Sequence, residues 1–299
     1  MVLAISRFEQ ETDEAVITVV TDTCASIPSD LARGLQIEVV PYYIHRGHET
    51  LRDETDITAE EFYRWLASAT QLPTTANPGP GDYLQAFERV SPRATQIVVL
   101  TMTSKGSGAY QSARIAQEIA AVQFPHLQVH VLDTLQVAMV HGWAAIEAAR
   151  AAQNGAGIEE VLATAQRVSQ TGCMLKTADT LRYLYLGGRI GRAKHLLGTL
   201  LNVKPIISME EGIIVPVGTA RSIPHAMTKM IDLMLERGAA KTPIKVAITH
   251  AAAPERAAAL LKLVLAAFDC VEVLVTQLSP ALGVHTGPGC VGVNFFPVH

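Results

Sequence analysis

Cysteine is sparse: four residues in 299, Cys24, Cys173, Cys270 and Cys290, with no Cys-x-x-Cys pair. That spacing excludes a disulfide framework and a thiolate metal knuckle, and leaves reduced, buried thiols as the reading. Charge is also scarce at 17%, with a net value of −4 and a pI near 6.2, so nothing draws the chain to nucleic acid. No window approaches the run of about 18 apolar residues that a spanning helix needs, so no stable membrane insertion is expected. The opening MVLAISRFEQETDEA carries Glu9, Glu11, Asp13 and Glu14 and lacks a signal peptide's basic start and apolar core. Residues 1–15 therefore read as a disordered or loosely packed leader, and the protein as cytoplasmic. Ten histidines invite a metal search, but His45 and His48 form an HxxH with no third ligand nearby, so no metal and no cofactor are expected.

Apolar residues, by contrast, make up 49% of the chain. That suits α/β layers with buried parallel strands, or a protein lining an internal apolar cavity. The most informative stretch is Gln96 to Glu118. Ile97-Val98-Val99-Leu100 reads as a buried strand, Thr103-Ser104-Lys105-Gly106-Ser107-Gly108 as a turn, and Ala109 to Ala121 as a helix. Strand, Gly/Ser turn and helix together aim free backbone N–H groups and a positive dipole end at an anion. The hydroxyls of Ser104 and Ser107 add donors. An ordinary βα turn with a serine cap fits the segment equally well. Three better-known chemistries do not fit. Gln111 stands where a dinucleotide loop needs its third glycine, Gly-Lys-Ser/Thr is absent, and no glycine precedes Ser107 at the spacing of a nucleophile elbow.

In chain order, Val16 to Thr21 reads as a strand delivering Asp22-Thr23-Cys24 to its end. A helix follows, from near Ser26 to Gly34, then a second strand from Gln36 to Ile44 turned back at Arg46-Gly47. Thr58 and Glu61 are spaced as a capping box, ahead of a helix with Phe62, Trp65 and Leu66 on one face. Leu72 to Gly81 is a loop stiffened by three prolines, with Thr74 and Thr75 in its middle. Another strand, Leu127 to Leu132, and two helices, 136–153 and 158–171, complete a repeating βα pattern and a mainly parallel sheet with helices on both faces. A second, smaller α/β unit with a mixed or antiparallel sheet is expected over 172–299, after a first over 16–171. It holds a hairpin around Glu210-Glu211-Gly212, a helix 222–237, a strand 244–249, a helix 254–268 and a strand 271–277. His285-Thr286-Gly287-Pro288-Gly289 reads as a rigid loop presenting an imidazole and a hydroxyl. From Thr180 to Ser208 there is no acid, while Arg182, Arg189, Arg192, Lys194 and Lys204 make a local positive patch. An apolar helix to Leu201 is expected within it.

These motifs together resemble the DegV family, over about Val16 to Val293. The resemblance rests on TDTCASIP, PTTANP, SKGSGAYQSA, DTLRYLYLGGRIGRAKHLLGTLLNVKPII and HTGPGCVGV. It departs from the family's usual pattern at Cys24, Ser26, Ala76, Asn77, Gly79 and Gly106. It implies a two-domain α/β fold with a long-chain fatty acid, such as palmitate, in a tunnel between the domains. Its carboxylate would meet Thr75, Ser107 and His285, with Ser104 and Thr286 alongside. It also implies a division of labour: the binding protein presents the acid to a separate ATP-using kinase, which makes the acyl phosphate. Arg189, Arg192 and Lys194 would then serve the kinase or the incoming phosphate. Two other classes compete with the carrier. One is a stand-alone acyl hydrolase or phosphotransferase with Ser107 as nucleophile, His285 as base and Asp22 or Asp133 as orienter. The other is a lipid-sensing regulator.

Overall fold

The computed structural model describes residues 16–198 and 203–298; the leader 1–15, the end of the helix expected to reach Leu201, and His299 lie outside them. The chain opens with β1 (Ile17–Asp22), α1 (Ser29–Gly34), β2 (Glu38–Val40), β3 (Tyr43–Arg46), β4 (Glu49–Arg52) and α2 (Ala59–Leu66). It continues through β5 (Thr74–Ala76), α3 (Pro80–Val90), β6 (Gln96–Thr101), α4 (Ala109–Gln123), β7 (Gln128–Asp133), α5 (Met139–Gln153) and α6 (Ile158–Thr171). Then come β8 (Cys173–Thr177), α7 (Arg182–Leu186), a 3₁₀ segment Gly191–Gly198, β9 (Lys204–Glu210), β10 (Ile213–Ala220) and α8 (Ile223–Glu236). β11 (Ile244–His250), α9 (Pro254–Ala267), β12 (Cys270–Gln277), α10 (Pro280–Thr286) and β13 (Val291–Pro297) finish it.

The fold is α/β, with a parallel sheet ordered β2-β1-β6-β7 and a six-stranded mixed sheet ordered β10-β9-β8-β13-β11-β12. β1 and β6 are buried along almost their whole length, as central parallel strands covered on both faces must be. α5 lies between the two sheets. It is buried nearly all round, with Trp143 against Phe296 of β13 and Ala144 to Ala149 in the same core as Val19 and Val98. Gly142 makes that fit possible, because a Cβ there would stand 2.6 Å from the Ala25 carbonyl oxygen. The capping box at Thr58 and Glu61 forms as its spacing requires: each backbone N–H donates to the other's side chain.

Three segments differ from their sequence reading. The strand expected over Gln36 to Ile44 is broken at Pro41, which cannot donate to a ladder. β2 joins the parallel sheet, while β3 joins a separate antiparallel sheet ordered β4-β3-β5. Thr74–Ala76 is β5 of that small sheet and not loop, pairing Ile44 with Thr75. His285 and Thr286 sit in the last turn of α10, a short helix capped by Ser279, begun by Pro280 and stopped by Gly287 at φ +71°.

Candidate functional site

The segments that follow β1 and β6, strand β5 of the small sheet, α7, α10 and strands β8 to β10 line a cavity of about 430 Å³, a size typical of small-molecule sites. Its apolar lining includes Met102, Val137, Met174, Ile207, Ile214 and Leu282. Thr75, Ser107, His285 and Thr286 all line it. Ser104 does not: it is exposed, with its backbone N–H held by the Asp133 carboxylate. Arg189 lines the cavity too, whereas Arg192 and Lys194 are exposed on the following 3₁₀ segment. A larger cleft of about 780 Å³ lies alongside and includes Arg192, Arg237, Glu210 and Glu211, but none of the hydroxyl or imidazole groups named above.

The polar atoms of the cavity come in pairs. Ser107 Oγ is 2.6 Å from the Tyr42 hydroxyl and also accepts the Ala109 backbone N–H at the start of α4. Thr75 Oγ1 is 2.8 Å from His285 Nε2. Burial holds the Tyr42 phenol far above its usual range, so it keeps its proton. When Tyr42 donates to Ser107, the serine's own O–H is left for a ligand. In the tautomer protonated at Nε2, His285 likewise donates to Thr75 and frees that hydroxyl. Each hydroxyl is thus backed by a neutral donor, which leaves both O–H groups free for a ligand in the cavity. Burial, with Arg189's positive charge added, pushes His285 down to about 4, so the imidazole is neutral near pH 7. A ligand carboxylate would act in the opposite direction. Thr286 is already committed, donating to the Leu282 carbonyl one turn back.

Glycines set the position of the imidazole. A methyl at Gly187 would overlap His285 Nδ1, and one at Gly287 would overlap the Tyr183 ring. α7 and α10 therefore interlock: each places an aromatic ring in the space that a glycine of the other leaves open. A neighbouring contact ties the β9–β10 turn to the Gly/Ser turn, since Thr103 Oγ1 donates to the Gly212 carbonyl at 2.9 Å. Arg189 donates to the carbonyls of Gly187 and Gly106, joining the glycine-arginine run to the same turn.

The nucleophile–base–orienter arrangement is not assembled in this structure. Ser107 is bonded to Tyr42 and His285 to Thr75. Asp22 accepts the backbone N–H groups of Cys24 and Met102, and Asp133 those of Ser104 and Leu135. Each carboxylate braces a turn; neither reaches His285. Among the described residues no cluster of three histidine, cysteine, aspartate or glutamate side chains could hold a metal, and no helix is long and apolar enough to cross a membrane. Sequence reasoning missed Tyr42, the backing group of Ser107. The signal was faint: a tyrosine beside Pro41, just where the chain leaves one sheet for another.

A parallel sheet and a mixed sheet are joined by a buried helix, and hydroxyl groups open on a largely apolar cavity at their junction. The chain belongs to the DegV family, whose model, described as "Uncharacterised protein, DegV family", matches residues 16–298. A DegV domain-containing protein of Streptomyces coelicolor is 31% identical over 93% of this chain and 97% of its own length. Among solved structures, a fatty-acid-binding DegV family protein from Thermus thermophilus has a TM-score of 0.88 at 31% identity, covering 94% of this chain and 99% of its own. DegV of Bacillus subtilis, described as a fatty acid binding protein, has a TM-score of 0.86 at 27% identity, covering 95% and 100%.

Proposed function

We propose that the protein binds one long-chain fatty acid, palmitate or a close relative, and presents its carboxylate to a separate kinase for acyl phosphate formation. The observation that carries the binding half is the junction of Thr75–His285 and Tyr42–Ser107 with an apolar cavity of about 430 Å³. The fatty-acid binding described for the Thermus thermophilus and Bacillus subtilis relatives supports it. Burying about 14 methylenes at ~0.8 kcal/mol each yields on the order of 11 kcal/mol gross. Association and ordering costs remove much of that, which leaves submicromolar affinity within reach. The carboxylate lies where the two hydroxyls and the start of α4 converge, with Arg189 as a nearby cation.

On this reading the chain divides into units 16–171 and 172–299, with the lipid at their junction, and works in the cytoplasm. Arg192 and Lys194, both exposed, face the kinase or its nucleotide. Arg189, in the cavity wall, belongs with the head-group contacts. Mass spectrometry of an organic extract of the purified protein tests the first half, and stoichiometric fatty acid is expected. An extract without lipid, from a protein that also fails to bind added palmitate, would overturn the reading. Reconstitution with a fatty acid kinase and ATP tests the second half. Acyl phosphate should form only with both proteins present, and turnover by this protein alone would make it an enzyme.

A further inference from the structure

Lys176 stands in β8, in a five-residue strand that is buried throughout. Strand alternation sends Cys173 and Leu175 into the core beneath α8 and α9, and Met174 and Lys176 to the other face, where both line the cavity. Lys176 is 3% exposed, in the range where lysine almost always has an anionic partner. Among the described residues it has none. No hydrogen bond or ion pair reaches its ammonium, and the titratable groups acting on it are the thiols of Cys290 and Cys24. Burial pulls its pKa down accordingly. Room for the stem is built in: Gly292 is its register partner on β13, and a methyl there would overlap Lys176 Cγ.

A saturated chain laid against this amine would surround it with hydrocarbon and offer no acceptor, which is the costly case for a buried polar group. A second carboxylate is a poor match as well. It needs several donors to stay charged in such a place, yet the Thr286 hydroxyl is taken by Leu282 and thiols donate weakly. One donor suits one neutral oxygen. We propose that Lys176 is a specificity determinant for oxygenated acyl chains, its Nζ donating to a hydroxyl or oxo oxygen part-way along the bound fatty acid. This rests on the fatty-acid reading above and names the ligand class within it.

The test compares stearate, a series of positional hydroxystearates and octadecanedioate on the delipidated full chain by isothermal titration calorimetry. The best hydroxystearate should bind about ten- to a hundred-fold tighter than stearate, as satisfying one otherwise unpaired buried donor allows. Lys176→Met should reverse that order, and Lys176→Gln, which keeps a donor, should restore part of it. Thermal unfolding confirms that both variants fold. The proposal is overturned if the parent binds stearate as well as every hydroxy isomer, which needs no variant at all. It is overturned if octadecanedioate is preferred, or if Lys176→Met weakens stearate and hydroxystearate equally, which would make Lys176 a carboxylate or structural group. Binding of none of these acids by the parent would instead sink the fatty-acid reading, and this proposal with it.

Discussion

The two walls of the cavity handle polarity in opposite ways. The wall from the first half of the chain carries three neutral groups, Tyr42, Thr75 and Ser107, each already hydrogen-bonded, with an exposed Lys105 beside them. The wall from the second half carries two basic side chains beside the neutral His285. Lys176 has no partner among the described residues, and Arg189 has only carbonyls. A neutral pair can wait at little cost, because each member satisfies the other. A buried amine without a counter-ion is costly to keep charged, and burial lowers the Lys176 pKa for that reason. On the proposed reading the first wall supplies the hydroxyls for the carboxylate, while the second adds His285 and Arg189 beside it and Lys176 for what else the ligand brings.

The comparison breaks most sharply at the hydroxyls. Ser107→Ala or Thr75→Ala should each weaken palmitate binding about 10- to 100-fold with the fold intact, the loss expected for a hydrogen bond to a charged group. Calorimetric titration checks this, and parent-like binding by both variants would place the carboxylate elsewhere. If the two hydroxyls hold one oxygen, the double variant should lose less than the sum.

Next in size is Gly187→Ala, which pushes the imidazole off Thr75 without touching either hydroxyl. A roughly tenfold loss of affinity is expected, with ~1–3 kcal/mol of destabilisation from overpacking. Thermal unfolding alongside titration separates the two effects. A stability loss with unchanged affinity would show that His285 packs but does not position.

Asp53 offers a pH handle on α10 itself. Its buried carboxylate accepts the Ala281 N–H at the start of that helix, and burial raises it from 3.8 to about 7. Between those values the folded chain keeps a proton that the unfolded chain has released, so stability falls as pH rises through the window. Asp53→Asn should remove its share of that slope and leave the share of neighbouring Glu54, which burial raises to about 8. It should stabilise the protein by on the order of 2 kcal/mol at pH 8 and by little near pH 4. Denaturant melts at the two pH values decide it, and an equal shift at both would disprove the linkage.

The smallest effect concerns the exposed cations. Arg192→Gln with Lys194→Gln should change stability by no more than about 0.5 kcal/mol, as usual for surface sites. Arg192 is 3.9 Å from an exposed Glu211, an ion pair worth little. Lipid binding should persist, while kinase-coupled turnover falls, most at low salt. Unchanged turnover at every salt concentration would remove these residues from the partner surface.

Regular apolar periodicity and capping chemistry were legible: the Gly/Ser turn between β6 and α4, the Thr58 box and the β9–β10 hairpin all form where their residues place them. What was not legible depends on partners distant in sequence. Pro41 divides a β-rich run between two sheets, and Thr74–Ala76 becomes a strand only because Tyr43–His45 lies beside it. The HTGPG segment reads as a loop because its glycines dominate, yet Ser279 and Pro280 upstream start a helix that runs into it. Lys176 was hidden for a plainer reason. The strand that carries it is five residues long, and only the neighbouring strands β9 and β13 show that a lysine there is enclosed.

The ring-into-glycine exchange between α7 and α10 has a consequence for anyone re-engineering this cavity. Tyr183 and Gly287, like His285 and Gly187, are lock and key on opposite segments. A specificity graft that transplants one segment from a relative will fail wherever the donor's partner ring or gap differs. The pair travels as a cassette, and two stretches nearly a hundred residues apart must be exchanged together for either to work.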